Sequence, residues 1–151
     1  LEDFPFKLRF QIYRADGDKA LTFFKGFEYS ETYLRSLVQR GGKRVDAIVD
    51  VQTKDGVRVR LSAMALTRYR ITTGQKKAMR KAMTEYILQK VPKLKYDALV
   101  KKVVYGKIDP ELAEVARKIA PVRRACIRKL KLLSSYEEMV SLLKEKEAIA
   151  G

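Results

Sequence analysis

The residues with the clearest chemical meaning are eight cations in a stretch that contains no acid. Between Asp55 and Glu85 the only charged residues are basic: Arg58, Arg60, Arg68, Arg70, Lys76, Lys77, Arg80 and Lys81. A run of guanidinium and ammonium groups without compensating carboxylates is typical of a surface that faces a polyanion. We therefore take nucleic acid as the first candidate partner, although a charge run can also be only a solvated face.

A second group of cations follows later in the chain, and from it we select four further candidates for nucleic-acid contact: Arg123, Arg124, Arg128 and Lys129. The segment 57–133 holds 21 Lys and Arg against 5 Asp and Glu, so it carries essentially all of the net charge of +15. Phosphate contacts made by such a segment would release counterions, and we expect binding to weaken steeply with salt.

Other chemistries have little support in the residue types. The chain has no histidine, which removes histidine bases and Ser-His or Cys-His pairs, and its one cysteine cannot complete a usual zinc site. Asp46 and Asp50 loosely resemble the acidic residues of a metal-dependent nuclease site, but they are four residues apart on a strand, which separates them by roughly 13 Å. We predict no enzyme activity and no cofactor or metal, and we interpret Cys126 as a small buried hydrophobe.

Composition also bounds the fold and the compartment. A chain of 151 residues with 46% hydrophobic content suits one domain with a real core. Charges interrupt every apolar run, and no secretory signal is visible, so we expect no membrane partner. With one cysteine a reducing compartment is favoured, and we predict a cytoplasmic location.

Two hairpins are predicted in the first half of the chain. Apolar residues alternate from Phe4 to Ile12, and pairing Phe10 with Phe23 around a four-residue loop, 15–18, keeps them on one face. Ser30 can cap a short helix. In the second hairpin, a three-residue Lys54-Asp55-Gly56 loop opposes Val51 to Val59 and Asp50 to Arg60, which places both apolar sets on the same face.

The second strand of that hairpin has a pattern that extends to Ile71. Its even-numbered face is basic at both ends and apolar at Met64 and Leu66, which would suit a protein neighbour if exposed. Tyr69 lies between two arginines and could stack on an unpaired base, but continued alternation favours a buried position.

The second half is predicted to be mainly helical. Thr72-Thr73-Gly74-Gln75 fits a capping box, and it places the following cations in first turns that the helix dipole disfavours, which indicates an external partner. Further helices are expected over 94–105 and from Asp109 to Pro121. A strand over 122–133 changes parity near Arg128, which predicts a bulge, and Ser135 begins a terminal amphipathic helix.

These elements predict an α+β fold. We expect an antiparallel β-sheet or partial barrel built of hairpins, with several α-helices packed on one side and a helical C-terminal part. Residues 1–133 would form a single domain and 134–151 a C-terminal amphipathic helix.

Several stretches closely resemble the archaeal and eukaryotic small-subunit ribosomal protein family S-one-e, also called three-A-e. The shared features include the Thr-Lys-Asp-Gly turn, the helix start TTGQKKAMRKAM and the strand IAPVRRACIRKLKLL. The resemblance runs in order and with matching spacing over residues 4–133, and the compact length without lysine-dense tails looks archaeal. Family members carry a further N-terminal basic region, which we expect this sequence to lack.

The resemblance implies a structural constituent of the small ribosomal subunit that binds and orders rRNA. It also implies a place on the platform near the mRNA exit site, with neighbouring ribosomal proteins as partners and with mRNA and initiation factors as further candidates. The alternative is a free-standing RNA- or DNA-binding regulatory module, and a metal-dependent nuclease is more remote.

Overall fold

The computed structural model describes residues 6–38 and 41–150, with the side chains of all of these except Asp16 and 146–150. The strands in this part of the chain are β1 (Phe6–Asp16), β2 (Lys19–Tyr29), β3 (Arg44–Gln52), β4 (Arg58–Thr67) and β5 (Val122–Leu132). The helices are α1 (Glu31–Leu37), α2 (Thr73–Lys90), α3 (Tyr96–Val104), α4 (Asp109–Arg117) and α5 (Tyr136–Ala150), with a 3-10 turn (Val91–Lys93) after α2.

The strands form one antiparallel sheet in the order β1-β2-β5-β4-β3. Although β5 comes last among the strands, it lies at the centre and joins the two hairpins. It pairs with β4 along most of its length, but with β2 only over three residues, Lys129 to Lys131. The predicted α+β class with an antiparallel sheet is confirmed.

The β3–β4 hairpin has the predicted register. Val51 lies opposite Val59 and Asp50 lies opposite Arg60. The loop closes with the Thr53 N–H donating to the Val57 carbonyl at 2.8 Å, and Gly56 takes a φ of +88°, which glycine adopts without steric cost. The three-residue loop predicted from parity is therefore confirmed.

The predicted bulge in β5 is also confirmed. Ser62 pairs with Lys129 and the next residue, Ala63, pairs with Ile127, so Arg128 is the extra residue. A second irregularity, not predicted, leaves Arg123 without a partner on β4 because Leu66 pairs with Arg124 and Thr67 with Val122. Each bulge re-aims a basic side chain relative to its neighbours along the strand.

The β1–β2 hairpin differs from its prediction. The strands continue to Asp16 and Lys19, so the turn has two residues, and Phe10 pairs with Phe24 rather than with Phe23. Both strands carry irregularities, which break the parity that the prediction assumed. The alternating residues Leu8, Phe10 and Ile12 are exposed, so the expectation that their shared face is buried is wrong.

Helices cover both faces of the sheet. On one face, Val59 and Leu61 of β4 belong to the main core with Met83 of α2 and Leu112 of α4. On the other face, Leu34 of α1 belongs to a second buried cluster, and its sheet residues are Met64, Leu66 and Cys126. The prediction that the helices lie on one side is therefore wrong, and the apolar patch at Met64 and Leu66 is covered by α1.

Helix boundaries follow the predicted signals closely. The Thr72–Gln75 capping box of α2 forms in both directions, with bonds of 2.9 and 3.1 Å. At the start of α5 the Ser135 hydroxyl accepts the N–H of Glu138 at 3.2 Å. The carboxylate of Glu138, however, binds Arg58 on β4, so it joins the terminal helix to the sheet.

Candidate nucleic-acid interface

The segment between β4 and α2 leaves the sheet earlier than the sequence pattern predicted. β4 ends at Thr67, where the backbone N–H donates to the Lys43 carbonyl at 2.9 Å and the hydroxyl donates to the Tyr69 carbonyl at 2.8 Å. These bonds turn the chain out of the strand direction. Arg68 and Arg70 follow the turn with exposed side chains, so the predicted extension of the strand to Ile71 is wrong.

Tyr69 lies outside the core. With β4 ended at Thr67, the alternation that favoured a buried position no longer applies, and 67% of the Tyr69 surface is exposed. The prediction of a core residue is wrong. An exposed phenol ring between two arginines is typical of protein surfaces on which an unpaired base stacks.

The start of α2 adds more positive charge to the same place. The first turn of α2 contains no acidic residue, so no carboxylate offsets the positive end of the helix dipole or the charge of Lys76 there. Lys77 and Lys81 are exposed and Lys76 is half-buried. The capping box satisfies the N–H of Gln75, whereas the helix dipole leaves the terminus electropositive.

Antiparallel pairing brings Arg123 to this end of the sheet. The Arg68 N–H donates to the Pro121 carbonyl at 3.1 Å, so the start of β5 lies beside the end of β4. Arg123 occupies the bulge there and is half-buried. We name this set the terminal cations: Arg68, Arg70, Lys76, Lys77, Lys81 and Arg123. In residues 6–38 and 41–150, none of these side chains takes part in a salt bridge.

Four other predicted site residues lie on the strands, and we name them the strand cations: Arg58, Arg60, Arg128 and Lys129. Each faces a carboxylate. Arg60 binds Asp50 through two bonds of 2.7 and 3.2 Å, and Arg58 binds Glu138 through two bonds of 3.1 and 3.2 Å.

The other two strand cations are also paired. Arg128 lies 3.4 Å from Asp46 and 3.8 Å from Glu31, and Lys129 lies 3.7 Å from Glu28. The hydrogen bond from Arg60 lowers the pKa of Asp50 below its ordinary value, so that pair stays ionised at neutral pH. A phosphate would have to compete with a carboxylate at each strand cation.

Arg124 and Arg80 are engaged by uncharged groups. Arg124 donates to the Tyr33 hydroxyl at 3.1 Å, and this bond raises the pKa of its guanidinium. Arg80 donates through Nε to the Asp46 carbonyl at 2.8 Å, while its side chain is otherwise exposed. In each, one of the guanidinium nitrogens is already bonded.

The carboxylates of the nuclease hypothesis are bound by arginines. Asp50 holds Arg60, and Asp46 lies 3.2 Å from Arg44 and 3.4 Å from Arg128. Among the described residues no three potential His, Cys, Asp or Glu ligands come together as a metal site would require. Cys126 is buried, and its burial raises the thiol pKa to about 12, which leaves it protonated and unreactive.

Sequence reasoning missed a further group of cations. Lys90, Lys93, Lys102 and Lys107 line one cavity at the far end of α2, although they are spread over 18 positions of the chain. Only the path of the chain through the α3–α4 turn brings them together. No helix in the described part of the chain is both long and apolar enough to span a membrane.

Comparison with known proteins identifies one matching family and several relatives. Residues 2–135 match the model of the ribosomal S3Ae family. The small ribosomal subunit protein eS1 of Desulfurococcus amylolyticus is 50% identical over 127 residues, which is 84% of this chain and 60% of that protein. The protein of the same name from Pyrobaculum aerophilum is 44% identical over 146 residues, or 97% of this chain and 66% of that protein. This chain thus spans less than two thirds of the length of either relative.

Proposed function

The chain belongs to the ribosomal S3Ae family, and from that premise we propose that it is a structural constituent of the small ribosomal subunit that binds and orders rRNA. The observation that carries the proposal is the group of terminal cations, which lie at one end of the sheet, exposed or half-buried, without acidic partners among the described residues. Both relatives are named small ribosomal subunit protein eS1, which supports the small ribosomal subunit as the assembly in which the chain acts. The role is structural, not catalytic.

We infer that the terminal cations contact phosphates of the rRNA backbone. Phosphate contacts set position and orientation and carry no base sequence, so recognition would depend on the shape of the RNA. Arg80 and Arg124 would contribute through their free guanidinium nitrogens. The strand cations would contribute least, because their carboxylate partners already neutralise them.

Tyr69 supports RNA as the polyanion. A purely electrostatic surface does not need an exposed aromatic ring, whereas RNA presents unpaired bases that stack on such rings. Tyr69 is held by the hydrogen bond from Thr67 to its carbonyl, so the ring projects from an anchored turn rather than from a loose one. We assign it the role of a stacking platform between the phosphate contacts of Arg68 and Arg70.

The finer location rests on the family resemblance. We propose a place on the platform of the subunit near the mRNA exit site, in the cytoplasm, with neighbouring ribosomal proteins as protein partners. Contacts with mRNA or initiation factors belong to the same proposal. The exposed residues Leu8, Phe10 and Ile12 on β1 suit a protein rather than an RNA neighbour.

Sedimentation of a cell extract on a sucrose gradient tests the assembly. We expect the protein to migrate with the small subunit at low salt and to be released at high salt, because its contacts are largely electrostatic. A variant with Arg68→Glu and Arg70→Glu should shift to the light fractions, whereas one with Lys7→Glu and Lys144→Glu, with the same change in charge, should remain bound. Wild-type protein confined to the light fractions at low salt would indicate a free-standing nucleic-acid-binding module instead.

A further inference from the structure

A second basic site lies at the opposite end of α2 from the terminal cations. A cavity of about 230 Å³ opens there between the end of α2, the 3-10 turn and the α3–α4 connection. Four lysines line it together with the phenol of Tyr86 and the carboxylate of Glu111: Lys90, Lys93, Lys102 and Lys107.

Local backbone geometry explains how two of the lysines meet. Gly106 has a φ of +68° and ends α3 with the Lys107 N–H bonded to the Lys102 carbonyl at 2.9 Å and its own N–H bonded to the Val103 carbonyl at 3.3 Å. This pair of bonds is the Schellman arrangement, which reverses the chain after a helix. It holds the backbone of Lys107 beside that of Lys102, so both residues line the same cavity.

The cavity has a large excess of positive charge. Among the described residues that line it, Glu111 is the only acid, and its carboxylate accepts a hydrogen bond from the Tyr86 hydroxyl. Burial raises the pKa of Tyr86, so its phenol stays neutral and remains a donor to Glu111. Within the residues that the structure describes, none of the four lysines takes part in a salt bridge.

Helix stability explains only part of this arrangement. Lys90 and Lys102 lie in the last turns of α2 and α3, where the helix dipole favours cations. Lys107 instead lies two residues before α4, at the N-terminal end of that helix, where the dipole disfavours a cation. The convergence of four unpaired ammonium groups on one cavity therefore has no evident benefit for the isolated chain.

We propose that this cavity binds a backbone phosphate of the rRNA other than those held by the terminal cations. The inference rests on the proposed function and extends it, because a phosphate held here cannot also reach the terminal cations: Lys77 and Lys90 are 13 residues apart on α2, about 20 Å along its axis. The volume is below the roughly 300–1,000 Å³ of pockets that enclose small organic ligands. It suits one phosphate group of a chain that passes over the surface.

Protection of lysines from acetylation tests the site in the wild-type protein. The chain would be treated with a limiting amount of acetic anhydride, alone and bound to archaeal small-subunit rRNA, and each lysine quantified by mass spectrometry. We expect the modification of Lys102 and Lys107 to fall at least about fivefold on binding, as for Lys77 and Lys81, while Lys144 on α5 stays unchanged.

The outcomes separate this inference from the proposed function. Protection of Lys77 and Lys81 without protection of Lys102 and Lys107 would overturn the cavity site and leave the proposed function in place. Protection of none of these lysines would overturn both. Protection of Lys144 to the same degree would show non-specific coating by RNA and would also overturn the cavity site.

A pair of variants provides a second, thermodynamic readout. Lys102→Gln with Lys107→Gln should lower the slope of log affinity against log salt by about one, as loss of a phosphate contact does. The matched control, Lys7→Gln with Lys144→Gln, removes the same charge and should leave the slope nearly unchanged. Equal slopes for the two double variants would mean that the cavity lysines act only through the general field.

Discussion

The strand cations form ion pairs with carboxylates, whereas the terminal cations have no carboxylate partner among the described residues. Arg58 and Arg60 belong to the same acid-free stretch of sequence as Arg68 and Arg70, and all four are exposed. Only the first two meet acids, and these come from β3 and from α5. The charge that a partner can use therefore depends on which cations the fold leaves unpaired.

Removal of equal charge from the two groups of cations should give the largest difference in RNA binding. Arg68→Gln with Arg70→Gln should weaken binding to small-subunit rRNA by about 100-fold, since each lost phosphate contact is taken as about 1.4 kcal/mol. The slope of log affinity against log salt should fall by about two. Filter binding or fluorescence anisotropy over a salt series measures both quantities.

The matched control is Arg58→Gln with Arg60→Gln. It removes the same charge from the strand cations, and we expect a loss of about threefold or less, because their carboxylates already screen them. Losses of similar size in the two double variants would contradict the division into terminal and strand cations.

A smaller effect is expected from the aromatic ring of Tyr69, which lies between the terminal cations Arg68 and Arg70 in the chain. Tyr69→Leu should weaken RNA binding by about 1–3 kcal/mol, the range measured for loss of base stacking, without changing the salt slope. Tyr69→Phe keeps the ring and should bind within about twofold of the wild type. If the phenylalanine variant binds as poorly as the leucine variant, the ring does not stack and the hydroxyl is the important group.

The sequence predicted the fold well where one choice of register satisfied both strands. In the β3–β4 hairpin, only a three-residue loop places the apolar residues of both strands on one face. In β5, the apolar residues change from odd to even positions, and this change located the bulge at Arg128. It failed for β1, because alternation shows that Leu8, Phe10 and Ile12 share a face but not whether that face is covered.

The candidate site could be predicted by residue type but not by pairing. Thr67 ends β4 through bonds to Lys43, 24 residues away, so the exposure of Tyr69 could not be read from the local pattern. Arg58 meets an acid 80 residues later in the chain, at Glu138. Contacts of this kind decide which cations remain available, and only the tertiary structure brings them together.

Gly74 in the first turn of α2 offers a test that separates stability from binding. A Cβ there would meet only the Thr72 hydroxyl at 3.8 Å, so the fold does not require glycine. Gly74→Ala should therefore stabilise the helix, by about 0.5–1 kcal/mol at most. If a phosphate approaches this turn closely, the added methyl should weaken RNA binding by about threefold, roughly 0.7 kcal/mol.

Thermal unfolding and RNA titration of the same variant measure the two effects. A rise in melting temperature with unchanged affinity would place the phosphate away from the helix N-terminus. A fall in melting temperature would mean that glycine is needed by the fold itself.

The smallest effect should come from turning a strand cation into an unpaired one. Asp50→Asn removes the partner of Arg60, and we expect RNA affinity to rise by about twofold as that charge becomes available. The bond from Arg60 lowers the pKa of Asp50, so the pair in the wild type is intact above the ordinary aspartate range and is lost only as pH falls through the lowered value. The variant should therefore differ from the wild type at pH 7, and an affinity equal to that of the wild type would show that the pair does not limit Arg60.

The most direct test of the division between the two groups is a structure of the protein within the small subunit. We predict phosphate oxygens within about 4 Å of the side-chain nitrogens of Arg68, Arg70, Lys77 and Lys81, which is the limit for an ion pair. The Arg60–Asp50 and Arg58–Glu138 pairs should remain intact and face solvent or protein. RNA phosphates on Arg58 and Arg60, with the terminal cations left in solvent, would contradict the account.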